Sequence, residues 1–388
     1  MALTLVLHEA TRTGAPRVGG LIAGELAKVE DLKVIVMKDG PLVPWLADLV
    51  GAERLIVCQP EEFSHHVPFE KRLDRASALL AEWPTDLVYV NSLAASIFVL
   101  AANSLNRRTV IHVHEKAAEI YKLFRHNVAK IEAMTVADGV VLAAEELAFD
   151  ILEVFGRIPA RLLAFGIAIE IEAVKIASAK KVRPAKNALN RALRPGERPL
   201  IGMCGHASPR KGSDIFFATA AAMPDHDFLW IGGWDPDEAI ENTAYDSFLT
   251  KKLPNLYVTG VVDNPYGYIG KLDIFFLSSR EDPNPLVLAE AVALQIPILC
   301  FSKTTAVSDR LGRTAIFCYG TPNVLDAVRI LKACTPAAIR TEAFRGLADA
   351  SIGAFDLDTK MKDVMELILM IRADKTDSAA DERAEVLA

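Results

Sequence analysis

The stretch SREDPNPLVLAEA, residues 279–291, sets acids and prolines where a strand should hand over to a helix. The run before it, Leu272-Asp273-Ile274-Phe275-Phe276-Leu277, is short, apolar and rich in β-branched and aromatic residues, the pattern of a buried strand. The run after it, Leu286–Ala293, reads as a buried helix, and Pro285 suits its first turn. Asp282 therefore falls at the mouth of a strand-to-helix turn, and Glu290 lies just over one turn inside the helix. In a parallel sheet, the carboxyl ends of the strands are where ligands bind.

Working outward, strands and helices alternate along most of the chain. Leu3–Leu7, Leu32–Met37, Leu55–Val57, Asp86–Val90, Thr109–Val113 and Gly139–Leu142 read as strands, with helices such as Val18–Val29, Leu42–Val50 and Glu70–Glu82 between them. Residues 175–198 interrupt the pattern with eight Lys or Arg against one Glu, and with Pro184 and Pro195. This run reads as a linker with a solvated surface; a patch for an anionic acceptor or lipid headgroups is the sharper alternative. A second alternation follows through Leu200–Cys204, Phe228–Ile231, Asn255–Val258, Leu272–Leu277, Ile298–Phe301 and Ala315–Cys318. The expected fold class is α/β, with two Rossmann-like doubly wound domains facing each other across a cleft. Residues 1–180 form the first domain, with a C-terminal helix at 357–388 packing back on it, and residues 181–356 form the second.

Bulk properties agree with two domains and exclude several function classes. The chain has 388 residues, more than one core usually serves, and 51% of them are hydrophobic. A net charge of −7 argues against nucleic acid as a partner. The five cysteines are scattered without a CxxC pair, which suggests buried thiols in a reducing compartment. The N-terminal MALTLVLHEATRTG has no basic region and reads as a first strand rather than a signal peptide. The longest apolar run, Leu93–Ala102, is far shorter than the ~20 residues that span a bilayer. A soluble, cytoplasmic protein is expected, with peripheral contact at the inner face of a membrane left open.

Three further strand ends carry candidate chemistry. In CGHASPRKGSD, residues 204–214, Gly205 permits a tight turn and Lys211 sits where a helix begins, adding charge to backbone N–H groups that already favour an anion. In EATRTGAP, residues 9–16, Gly14 would let the backbone approach a ligand, although GxGxxG is absent here and throughout the chain. In VIHVHEK, residues 110–116, His114 and Glu115 fall at the strand's end, without metal-ligand spacing to any other His or Cys. Each feature alone is as readily an ordinary turn or surface; their shared placement at strand ends in both halves is the signal.

Together these stretches resemble the retaining GT-B glycosyltransferases, specifically glycosyltransferase family 4, the glycosyl transferases group 1. SSREDPNPLVLAEAVALQIPIL is similar to that family's signature of an acid, seven residues and Glu, and GHASPRKGSDIFFATAAA to its phosphate-binding lysine loop. NPYGYIGKLDIFFLSSRED resembles the run from the nucleotide-base loop into the signature, and HEATRTGAP and VHE resemble the N-terminal glycine loop and strand-end His of members acting on polysaccharides. The resemblance implies that Glu290 binds the ribose hydroxyls of a nucleotide-sugar donor, that Lys211 and Arg210 neutralise its diphosphate, and that Asp282 holds hydroxyls of its sugar. It also implies donor contacts from Asn284 and from the N–H groups of Leu286 and Val287, with Val261 and Val262 near the base. His114 would face the sugar and Gly14 would let the N-terminal loop close over the diphosphate.

Three positions depart from the family pattern. Asp282 stands where Glu is usual, so that neighbouring Glu281 is an alternative for the sugar; His206 replaces a common Arg; and Pro283 and Pro285 remove two N–H donors. The implied activity is retaining transfer to a glycan or lipid-linked acceptor in cell-surface polysaccharide or lipopolysaccharide synthesis, with no cofactor and no metal. The Asp356-Leu357-Asp358 triplet reads as a helix start rather than a metal site. The alternatives are a non-catalytic nucleotide-sugar-binding or scaffold subunit and a nucleotide-sugar epimerase on the same fold.

Overall fold

Leu3, Leu5, Val6 and Leu7 are completely buried in β1 (Ala2–Leu7), as expected of a parallel strand covered on both faces. The computed structural model describes residues 2–115, 128–144, 147–148, 161–187, 189–234, 250–282, 284–302, 304–305, 316–334 and 342–385. They fall into two compact units, one of Met1–Ala168 with Leu357–Ala388 and one of Ile169–Asp356.

In the first unit β1 is joined by β2 (Asp31–Val36), β3 (Leu55–Val57), β4 (Leu87–Asn91), β5 (Arg108–Val113), β6 (Gly139–Leu142) and β7 (Leu162–Ala164). The strands are all parallel and run in the order β3-β2-β1-β4-β5-β6-β7. Helices α1 (Gly14–Leu26), α2 (Val43–Val50), α3 (Phe69–Ala81), α4 (Ile97–Ser104) and α5 (Val128–Val136) alternate with them. The order 3-2-1-4-5-6 is that of a doubly wound sheet, and it reverses between β1 and β4.

The second unit repeats this plan. It contains α6 (Ile171–Ser178), β8 (Lys186–Asn187), β9 (Leu200–Cys204), α7 (Ser213–Ala222), β10 (Asp227–Ile231), β11 (Leu256–Val258), α8 (Tyr266–Ile269), β12 (Ile274–Leu277), α9 (Leu286–Ala293), β13 (Ile298–Phe301), β14 (Ile316–Tyr319), α10 (Val324–Ala333) and α11 (Glu342–Ile352). The sheet order is β14-β13-β12-β9-β10-β11-β8. Counted from β9, the parallel strands again follow 3-2-1-4-5-6, and the order reverses between β9 and β12. A cluster of aromatic rings fills the core beneath them: Phe216 meets Trp230, Phe228 and Phe276 edge-on or stacked at 5.3–5.9 Å.

The basic run differs from its expected role as a linker. The change of unit falls between Ala168 and Ile169 rather than at 180, because α6 packs against α8 and α9 of the second unit. Asn264 fixes it there by donating from Nδ2 to the Ala177 carbonyl at 2.9 Å. Lys186–Asn187, inside the run, pairs antiparallel with Tyr257 and Val258 as β8. A short, charged strand is a common way to blunt a sheet edge, so polarity that suggested loop also suits this place.

The last helix, α12 (Leu357–Glu385), packs on α1 and on the β5–β7 side of the first sheet. Arg372 holds it there through bonds to Glu30 at 2.6 and 3.1 Å and to Asp86 at 2.6 and 3.2 Å. Glu30 is nearly sealed from solvent, so this contact is far from an ordinary surface ion pair. Asp356 immediately precedes the helix and Asp358 lies in its first turn, where carboxylates favour the dipole. No helix among the described residues is long and apolar enough to cross a membrane. Arg372→Ala is expected to destabilise the first unit by about 3 kcal/mol, read by denaturant unfolding; a change under about 0.5 kcal/mol would show that the contact does not hold α12.

Candidate functional site

Two loops leave the strands that flank the reversal of the second sheet. One follows β9 and carries Gly205–Gly212; the other follows β12 and carries Ser278–Pro285. They are bonded to each other along their length. Ser278 Oγ donates to the Lys211 carbonyl at 3.0 Å, the Arg280 N–H to the Arg210 carbonyl at 2.9 Å, and the Arg210 guanidinium to the Glu281 carbonyl at 3.1 Å. Arg280 adds a two-pronged bond to Asp214 at 2.7 Å and a further bond to the Pro209 carbonyl at 2.7 Å.

Gly212 makes this approach possible. It sits at φ +68°, immediately before α7, and a Cβ there would lie 2.1 Å from the Ser278 carbonyl oxygen. Both the left-handed backbone and the lack of space require glycine. Lys211, one residue earlier, is thereby turned back across the β9–β12 reversal.

There the Lys211 ammonium bonds to the carboxylate of Asp282. Asp282, rather than Glu281, is the acid that meets the lysine; Glu281 contributes its carbonyl to Arg210. The Asp282 side chain is 9% exposed and that of Lys211 17%, so the pair is largely withdrawn from water. The Asp282 N–H is held by the Thr304 carbonyl at 2.9 Å, and Ser279 Oγ reaches its carboxylate at 3.5 Å. Pro285 takes the capping position before α9, and Leu286 and Val287 are the first two helical residues, whose N–H groups point out of the helix end. Asn284 is half-buried beside them, and Pro283 lies outside the described residues. Farther away, Val261 is exposed and Val262 half-buried, while His206 stands exposed in the β9 loop.

Glu290 is completely buried, and its Oε1 accepts a bond from the Tyr266 hydroxyl at 3.3 Å. The sequence pattern puts Glu290 one turn into a helix but gives no hint of this cover. The aromatic in NPYGYIG was the only available signal, and its partner is 24 residues away.

In the first unit, loops from β1 and β4 again flank the sheet reversal. Gly14 is exposed at the start of α1, and a Cβ on it would meet nothing within 4 Å, so the fold itself does not demand glycine there. The close contact occurs at Gly19, where a Cβ would lie 2.5 Å from Leu7 and 2.8 Å from Asn91. Asn91, at the end of β4, donates from Nδ2 to the Ala15 carbonyl at 2.9 Å and faces His114 Nε2 with Oδ1 at 2.8 Å. A carbonyl can only accept, which fixes the amide and makes His114 Nε2 the donor. Neutral His114 then offers Nδ1 as an acceptor. Burial, reinforced by His8, pushes the His114 imidazole down to about 3, and burial with the neighbouring His114 pushes His112 well below its usual value. The two rings stack at 4.1 Å.

Glu115 braces the same corner. It accepts from Ser92 Oγ at 2.8 Å, the Leu93 N–H at 3.1 Å and the His114 N–H at 2.9 Å. Ser92 is held at φ +94°, a conformation that a serine adopts only under such constraint. Asn91 and Ser92 were missed in the sequence because a polar pair closing the run LVYV reads as any strand end.

Residues 198–331, which include Lys211, Asp282 and Glu290, match the family model for Glycosyl transferases group 1. Among solved structures, the Anabaena protein HepE in complex with UDP and glucose superposes with a TM-score of 0.78 at 17% identity, covering 95% of this chain and 99% of that one. Sucrose-phosphate synthase from Thermosynechococcus elongatus gives 0.72 at 17%, covering 96% and 100%, and a glycosyltransferase from Rickettsia africae gives 0.71 at 15%, covering 95% and 98%. At these identities the likeness establishes the fold, which is that of the GT-B glycosyltransferases. No curated protein matches the sequence.

Because His112 and His114 bind protons less readily folded than unfolded, the stability they lend is present above the ordinary value of 6.5 and is lost as pH falls from there toward 3. Unfolding of the wild type is expected to become easier between pH 7 and 5. His114→Gln, which keeps an N–H for Asn91, is expected to reduce that pH dependence by about one proton. An identical slope in both proteins would contradict the neutral assignment.

Proposed function

We propose that the chain is a retaining, metal-independent glycosyltransferase, moving a sugar from a nucleotide-diphosphate sugar to a glycan or lipid-linked acceptor in cell-surface polysaccharide or lipopolysaccharide synthesis. The observation that carries this reading is the Lys211–Asp282 pair at the sheet reversal of a glycosyl transferases group 1 domain, with two helix N-termini beside it. HepE has been solved in complex with UDP and with UDP-glucose, which makes uracil the first base to try.

Breaking the bond between the anomeric carbon and the diphosphate oxygen leaves negative charge on the departing group. Lys211, Arg210 and the N–H groups at the start of α9 would meet that charge without rearranging as it grows. These groups supply what a metal ion supplies elsewhere, which is the ground for the metal-independent assignment. The acceptor oxygen bonds to the anomeric carbon on the face the diphosphate leaves, and its proton passes to the departing phosphate oxygen. Asp282 receives hydroxyls of the donor sugar. Glu290 receives a ribose hydroxyl in place of the Tyr266 hydroxyl that covers it now, so the tyrosine swings aside on donor binding. His114, neutral, offers Nδ1 to a substrate hydroxyl.

The test is incubation of the full chain with UDP-, GDP- and ADP-sugars, with and without extracted glycan and lipid-linked acceptors. Acceptor-dependent release of nucleoside diphosphate is expected, and Lys211→Ala should lower its rate about 100-fold or more. Donor binding without release under any condition would leave a binding subunit in place of an enzyme. An undiminished rate in the variant would remove Lys211 from the site.

A further inference from the structure

The Asp282 carboxylate has two side-chain partners among the described residues: Lys211, and Ser279 at 3.5 Å. It is also one of the most enclosed acids in the second unit. We propose that Asp282 is a specificity-determining residue that makes this site favour an intact nucleotide-sugar over the corresponding nucleoside diphosphate. This inference rests on the donor-site reading above.

The argument follows the partners of one carboxylate through two occupancies. Either ligand brings a diphosphate that draws the Lys211 ammonium toward itself. Asp282, whose side chain is 9% exposed beside Lys211, then retains one long contact to Ser279, a costly state for a carboxylate. An intact donor brings sugar hydroxyls that donate to Asp282 and restore what Lys211 withdrew. A nucleoside diphosphate has no such group, and the carboxylate stays poorly paired. The same logic lets a site built around a polar contact reject an analogue lacking it.

Glu290 cannot discriminate in this way, because the ribose it would meet is common to both ligands. Arg210 cannot either: it is exposed and tied to the Glu281 carbonyl, so it acts alike on any diphosphate. Discrimination therefore falls to the one acid whose partner the phosphate removes. Its consequence is that, once the sugar has been transferred, the spent nucleotide is left holding a site that works against it.

The experiment is calorimetric titration of the full-length wild type, Asp282→Asn, Asp282→Ser and Asp282→Glu with UDP, GDP and ADP and with their glucose conjugates. The wild type should bind one glucose conjugate more tightly than its free diphosphate. Either neutral replacement should shrink that preference about tenfold or more by tightening the free diphosphate, while Asp282→Glu retains it. Two neutral variants are included so that one folded protein, verified by its thermal transition, suffices. A preference unchanged in a folded neutral variant, or a free diphosphate weakened in step with the conjugate, overturns the inference alone. No binding of any nucleotide to the wild type overturns the donor-site reading and this inference with it.

Discussion

The backbone of Gly212 against the carbonyl of Ser278 is the contact on which the pairing of Lys211 with Asp282 depends. Two loops leave neighbouring strands where the sheet order reverses, and a side chain at 212 would force them apart. With glycine there, Lys211 is delivered to Asp282, Arg280 can reach Asp214, and α7 begins beside the same gap. The ion pair is thus a consequence of backbone fit: the loops are clamped by main-chain and guanidinium bonds on either side of it.

The same strand order is used with different electrostatics in the two units. In the second, the reversal holds a cation, an acid and, one turn into α9, a sealed glutamate. In the first, it holds an amide, two stacked imidazoles kept neutral by burial, and an acid that is occupied in holding main-chain N–H groups. On the proposed reading, one sheet end receives a diphosphate and the other uncharged hydroxyls. A doubly wound sheet dictates where a ligand goes and leaves its chemistry to a few loop residues.

Much of this was legible in the sequence, for a reason that also marks its limit. Runs such as IFFL and LIGMC can only be interior strands, and the loops that follow them are marked by Gly, Pro and charge, so pattern alone puts Lys211, Asp282 and Glu290 at or just past strand ends, while their roles came from the family resemblance. Local pattern could not choose between Glu281 and Asp282, since the choice rests on a lysine 71 residues away. Nor could it find β8 within a basic run, Arg372 reaching back to Glu30, or Asn91 orienting His114. Gly14 drew notice because it opens a helix after the first strand, whereas Gly19, hidden within that helix, is the one the packing requires. Each miss is a contact between distant segments, which periodicity does not encode.

Diffraction from crystals grown with a bound nucleotide-sugar addresses the central claim most directly. The account predicts the diphosphate at Lys211 Nζ and the start of α9, a sugar hydroxyl on Asp282, and the ribose on Glu290 with the Tyr266 phenol displaced. Nucleotide density elsewhere on the chain, with Lys211 still bonded to Asp282 and Tyr266 still over Glu290, would contradict it.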